Sequence, residues 1–176
     1  MSEPQSSVAN PSPLGLCGFG FTTISLNLHN IGMFELNAMI LAMGICFGGL
    51  AQVIAGIMEF KNKNTFGATA FTAYGFFWLS LVLIWWNPFS SIPAADPASM
   101  GWYLLMGGIF TSFLFLSSLR HNRITQTVFG SLTLLFVLLA LGNFVQSPVI
   151  HVIAGVVGVF CGGSTCYSAL SQSQHA

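Results

Sequence analysis

The sequence predicts an all-α integral membrane protein. It should form six transmembrane helices in one compact bundle per protomer, with both termini cytoplasmic. Three observations predict this. Of 176 residues, 54% are hydrophobic and 5% are charged, with mean hydropathy +0.78. A water-soluble domain carries roughly a quarter charged residues, so a chain this poor in charge cannot clothe its surface in water. Six apolar segments near spanning length follow one another between short polar breaks. All four basic residues fall in two of those breaks, which share one side when six spans are counted.

Residues 1–12 are polar, carry Glu3 and lack a basic stretch, so they read as a short cytoplasmic tail and not as a signal peptide. The transport domain then covers residues 13–170, with residues 171–176 as a second cytoplasmic tail. Its spans run from about Leu14 to Leu28, Leu36 to Met58, Thr65 to Trp86, Met100 to Leu119, Ile124 to Phe144 and Val149 to Leu170. The first is short unless it begins back at Pro11. The breaks HNIGMFE, KNKN, RHNR and QSP allow only tight turns between antiparallel helices. Lys61, Lys63, Arg120 and Arg123 lie in the second and fourth loops, which the positive-inside rule assigns to the cytoplasm. Asp96 then lies outside, and Trp85, Trp86, Trp102 and Tyr103 form an outer aromatic belt. The chain is expected to be a multi-pass protein of the cell membrane, in the inner or plasma membrane.

Gly44 and Gly48, and likewise Gly158 and Gly162, form GxxxG pairs that let helices approach closely. Packing within one protomer is the simpler reading; an oligomer contact is the alternative. Cys17, Cys46, Cys161 and Cys166 sit in apolar stretches without a CxxC pair and read as packing residues. A zero formal net charge gives no case for nucleic-acid binding through the backbone. No nucleophile–base–acid set, phosphate loop or metal-ligand spacing is present in the sequence, so no enzyme, cofactor or metal is expected.

Polar groups within the spans are the functional candidates. No Lys or Arg lies deep in a span, so an anion would depend on neutral donors and helix N-termini. Gln52 is mid-span and suits a helix–helix hydrogen bond or a pathway role. Glu59, one turn from the cytoplasmic end, suits an ion pair with Lys61 or Lys63; proton coupling is the alternative. Thr65, Thr69 and Thr72 share one helical face. Asn27 and Asn143 suit caps near the outer ends. His29, His151 and Glu35 lie at the outer mouth, where a pH-sensitive role is conceivable. Pro11 and Pro13 fit a first helical turn, with Asn10 as its cap.

The stretch NPSPLGLCGFGFTT, from Asn10 to Thr23, resembles the NPAPLGL signature of the succinate/acetate permeases, the acetate uptake transporters. Further matches are GGLAQVIAGIMEFKNKNTFGATAFTAYGFFW from Gly48, SLTLLFVLLALGN from Ser131 and HVIAGVVGVFCGGSTCYSA from His151. Ser12 stands where the signature has Ala. The resemblance implies a homo-oligomer, a hexamer, with a pathway through each protomer. It implies passage of acetate, and sometimes succinate, as a proton symporter or an anion channel. It also implies an apolar constriction, which by motif falls on Phe19, Tyr74 and Leu132.

Counting residues from the span starts puts those three at one depth near mid-membrane. An apolar neck suits the methyl group of acetate and makes its carboxylate shed water at a cost. Asn10, Pro11, Thr22, Gln52 and Thr72 are expected to line the pathway, with Asn10, Thr22, Gln52 and the Tyr74 hydroxyl compensating the carboxylate. Glu59 and His151 are the candidates for proton coupling. The rival reading is a channel for a small neutral solute such as urea or an undissociated acid.

Overall fold

The computed structural model describes residues 9–89 and 91–174; most of the two expected tails, including Glu3, lies outside them. Among the described residues there are six long helices: α1 Ser12–Asn30, α2 Ala38–Lys61, α3 Thr65–Trp86, α4 Pro97–Ser118, α5 Arg123–Val145 and α6 Pro148–Gln174. The last five are long and apolar enough to cross a membrane. Thr22, Thr23, Asn27, His29 and Asn30 make α1 more polar, and at 19 residues it is about 28 Å long. α6 continues to Gln174, so residues 171–174 of the expected C-terminal tail are helical.

The helix boundaries follow from the residues at their ends. Asn37, Asn64, Asp96 and Asn122 cap α2 to α5 by accepting from backbone N–H groups at 2.6–3.1 Å. α1 begins differently: Pro11 holds the capping position, and Asn10 Oδ1 accepts from Ser12 N at 3.0 Å. Beyond α1, Gly32 takes φ +84, the left-handed turn that ends a helix without a Cβ clash. Asn87 and Gln146 close α3 and α5 in the same region of backbone space.

Within α2, residues Gly44–Ala51 form a π-helix. The stretch starts beside the Met43 carbonyl, which the Thr22 hydroxyl reaches at 3.3 Å from α1. A side chain inserted into the backbone ladder is an established cause of such a bulge.

The helices form a ring in the order α3, α2, α1, α6, α5, α4. Neighbours pack along their lengths, except α3 and α4, whose backbones stay apart and which meet through side chains. The turns at residues 62–64 and 119–122, the start of α1 and the end of α6 share one end of the ring. Ser12 and Asn64 both donate to Glu59 there, and Gln172 shares a recess with His121. All four basic residues lie at this basic end; Glu35 and Asp96 lie at the opposite, acidic end.

The GxxxG glycines face neighbouring helices of the same chain. Gly44 and Gly48 meet Val82, Trp78 and Thr22, and Gly158 and Gly162 meet Asn27 and Ile24.

Candidate functional site

Along the middle of the ring, α1, α3 and α5 bring Phe19, Tyr74 and Leu132 together. All three are buried, at 6%, 5% and 3% exposure, and the Phe19 and Tyr74 rings lie 5.6 Å apart. The three side chains line two small cavities at once. One, of about 40 Å³, extends toward the acidic end past Leu26, Trp78, Leu81 and Leu104. The other, of about 30 Å³, extends toward the basic end past Leu16, Ala70 and Val128. The trio is the septum between them. Beyond the second cavity lies a wider recess of about 270 Å³ that shares Leu16, Ala70, Phe71 and Phe129 with it. This recess is polar at its rim, where Ser12, Asn64, His121, Asn122 and Gln172 gather. Recess, cavity, septum and second cavity thus follow one another along the bundle.

The N-termini of α1, α3 and α5 converge on the recess, through Ser12, Asn64 and Asn122. Helix N-termini carry partial positive charge. Their meeting follows from topology, because odd-numbered helices of an antiparallel bundle all start at one end.

The expected donors at the septum are committed elsewhere. The Tyr74 hydroxyl bonds Thr111 Oγ1 on α4 at 2.9 Å, and Thr111 donates to the Gly107 carbonyl at 2.7 Å. Tyr74 is therefore the donor of that pair, and its proton faces α4. The Thr22 hydroxyl bonds the Gly18 carbonyl at 2.8 Å and reaches the Met43 carbonyl; it faces α2 and is not among the residues lining the two cavities. Gln52 lines the cavity on the basic side, but its Nε2 donates to the Gly48 carbonyl at 2.7 Å, leaving Oε1 without a partner. Thr72 lies against Gly56 of α2, its hydroxyl unpartnered, away from the septum. The Tyr74 and Thr22 hydroxyls thus turn away from the septum, while Gln52 has one amide hydrogen bonded to Gly48 and a second beyond it. Backbone carbonyls four residues earlier on the same helix take up the Thr22 hydroxyl and one amide hydrogen of Gln52.

Asn10 is exposed and Pro11 buried at the start of α1. Glu59 is 2% exposed, yet it makes no ion pair with the exposed Lys61 or Lys63. Its carboxylate accepts from the Ser12 hydroxyl and from Asn64 Nδ2, the latter at 2.9 Å. The expected interfacial ion pair is thus replaced by a buried fastening between the start of α1 and the α2–α3 turn. His151 stands at the α5–α6 corner of the acidic end. Its Nδ1 donates to the Ser147 carbonyl at 3.0 Å, and its Nε2 accepts from Asn143 at 3.3 Å. It does not line the cavities flanking the trio. His29 is likewise held locally, through the Phe34 carbonyl at 2.9 Å, and Glu35 is exposed.

Sequence reasoning missed Thr23 and Asn27 as lining residues. Both are 2% exposed and line the cavity on the acidic side. Asn27 donates to the Thr23 carbonyl at 2.8 Å, and the Thr23 hydroxyl has no partner. Thr111 was missed too. A signal for it lies in the likeness of GGIFTS, residues 107–112, to GFGFTT, residues 18–23: Thr111 and Thr22 each donate to a glycine carbonyl four residues back and each meet a second helix.

Comparison with known proteins identifies this arrangement. The GPR1/FUN34/yaaH family profile matches residues 1–175. The succinate-acetate/proton symporter SatP of Escherichia coli (strain K12) is 52% identical over 166 residues, covering 94% of this chain and 88% of SatP. Ammonia transport outward protein 2 of Saccharomyces cerevisiae is 34% identical over 174 residues, covering 94% of this chain and 62% of the yeast protein. A solved structure described as that of the bacterial acetate channel SatP superposes with a TM-score of 0.93 at 50% identity, covering 96% of this chain and 93% of that one. The resemblance carried by NPSPLGL therefore extends over nearly the whole chain. With five helices apolar enough to span and this likeness over its length, the chain is a multi-pass membrane protein and belongs to the GPR1/FUN34/yaaH family.

Proposed function

We propose that this chain carries acetate, and with it succinate and other small carboxylates, across the membrane through the middle of its helix ring. Phe19, Tyr74 and Leu132 form the constriction. One observation carries the reading: three residues from three helices separate two cavities that continue, on one side, into a polar recess. A carboxylate arriving at the basic end meets three helix N-termini and no deep cation that would hold it. Asn10 and Pro11 shape that entrance, and Gln52 offers a polar side chain to the cavity on the basic side; Thr22 and Thr72 support the walls. The kinship with SatP supports the substrate class.

α1 completes six spans, with the basic end and both chain ends in the cytoplasm, because the four basic residues gather there. The protein works as a homo-oligomer, a hexamer on the family resemblance. If transport is proton-coupled, Glu59 is the stronger candidate, being buried at the entrance; His151 would act from the far end. A channel needs neither.

A second reading, passage of a small neutral solute, is favoured by the commitment of the Tyr74 and Thr22 hydroxyls to other partners. Labelled-acetate uptake into vesicles at neutral pH separates the two. Acetate is then almost all anion, so uptake inhibited by other carboxylates and not by urea supports the first. Uptake that urea suppresses and carboxylates leave alone would sink it.

A further inference from the structure

On the outside of the ring, α5 and α6 part toward the basic end and leave a groove of about 440 Å³. It is separate from the cavities around the septum. Phe160, Gly163, Ser164 and Tyr167 line it from α6 at i, i+3, i+4 and i+7, one helical face. Arg123 and Thr127 face them from α5, one turn apart. The two helices are antiparallel, so Arg123, the first residue of α5, stands level with the Tyr167 end of the groove. Phe160 lies seven residues deeper, about 10 Å along the helix. Polarity therefore falls with depth, from a guanidinium and a phenol to a phenyl ring. The floor is open: a Cβ placed on Gly163 would meet nothing within 4 Å.

Arg123 is held over this groove by a neutral group. Its guanidinium donates to Gln126 Oε1 at 3.2 Å, and Gln126 is fixed in turn by donating to the His121 carbonyl at 2.9 Å. The described carboxylates are elsewhere: Glu35 and Asp96 at the acidic end, Glu59 bonded to Ser12 and Asn64. An oriented cation above an apolar cleft calls for an anion with an apolar tail. We propose that the groove binds an anionic phospholipid of the surrounding bilayer, its phosphate at Arg123 and Tyr167 and one acyl chain along Gly163 and Phe160. Basic pockets between transmembrane helices take anionic headgroups in this way.

The test uses the purified assembly in non-ionic detergent, with dioleoylphosphatidylglycerol or dioleoylphosphatidylcholine added. Bound lipid is counted by native mass spectrometry and stability by thermal unfolding. The wild type should retain the anionic lipid in preference and unfold at a higher temperature with it. Arg123→Gln should weaken that preference about fivefold, and Arg123→Lys should keep it. Gly163→Leu should fill the floor and lose both lipids. Equal retention of the two lipids, or a preference unchanged in Arg123→Gln, overturns the proposal. So does an equal thermal shift from inorganic phosphate alone, which would assign the site to a free anion. A changed subunit number in Gly163→Leu with lipid retention intact also overturns it, because a second copy would then cover the groove.

Discussion

Between α1 and α6 the backbones nearly touch. A Cβ on Gly162 would lie 2.7 Å from the Gly20 carbonyl, and one on Gly20 would lie 2.9 Å from the Gly162 carbonyl. Gly155 and Gly158 continue the contact against Asn27 and Ile31. Between α3 and α4 the ring is left ajar. A groove of about 470 Å³ opens there, walled by Phe76, Phe77, Tyr103, Met106 and Phe110. Three polar ties cross it: Tyr74 to Thr111, Ser80 to the Tyr103 hydroxyl at 2.7 Å, and Tyr103 to the Phe77 carbonyl at 2.9 Å. The contrast teaches how a bilayer protein chooses between rigid and compliant seams. Lipid tails are as apolar as leucine, so apolar area drives no association; close backbone approach does. Large side chains hold α3 and α4 apart. The septum straddles both regimes, because Phe19 comes from α1, beside the closed seam, and Tyr74 from α3, which borders the open one.

The comparison breaks if a large residue is tolerated in the closed seam. Gly158→Leu would drive a side chain into Asn27, and overpacking of this kind costs about 1–3 kcal/mol or more. Thermal unfolding in detergent should show a heavy loss. Ala73→Leu, in the open seam, should stay within about 0.5 kcal/mol of wild type. Similar losses in the two variants would remove the distinction.

Leu132→Ala tests the septum between the seams. Removing a buried leucine costs on the order of 2 kcal/mol, and the wider neck should admit bulkier acids such as lactate. Reconstituted vesicles that still discriminate acetate from lactate as the wild type does would count against Leu132 as a neck residue.

Tyr74→Phe sharpens the account of the open seam. Interhelical hydrogen bonds in bilayers average about 0.6 kcal/mol, so stability should drop slightly. Acetate flux should hold within a factor of two or so, because the hydroxyl serves Thr111 and not the pathway. A tenfold fall in flux would return that hydroxyl to the substrate.

The smallest effect is expected at Asp96, which starts the α4 wall of the open seam. The backbone N–H of Ser99 holds its carboxyl below the ordinary carboxylate range. A depressed folded-state value contributes stability above the unfolded value and loses it as pH falls through the folded one. Asp96→Asn keeps a cap without a titrating group. Its unfolding temperature should fall less than that of the wild type on strong acidification, and parallel curves would refute the linkage.

Much of the fold was legible because the bilayer imposes it. Thr65–Trp86 matches the expected third span residue for residue, and the other boundaries moved by a few residues at caps. Phe19, Tyr74 and Leu132 were reachable through family motifs and the common depth of odd-numbered spans. Thr23 and Asn27 were not, since a threonine or asparagine in a span looks the same whether it faces a cavity or a neighbouring helix. Glu59 was misread for a related reason. Sequence offered Lys61 and Lys63 as its nearest charges, but the folded chain brought Ser12 from forty-seven residues away.

Composition and segment length were enough, from the sequence alone, to determine a helical membrane protein with several apolar spans. Those properties depend on each segment's own transfer from water to lipid and on nothing beyond it. Only the tertiary structure decided which donors remain free, which seam closes and where the cavities meet. Each of these depends on the distance between atoms on different helices, and a hydroxyl takes whichever carbonyl the packing brings within about 3 Å of it.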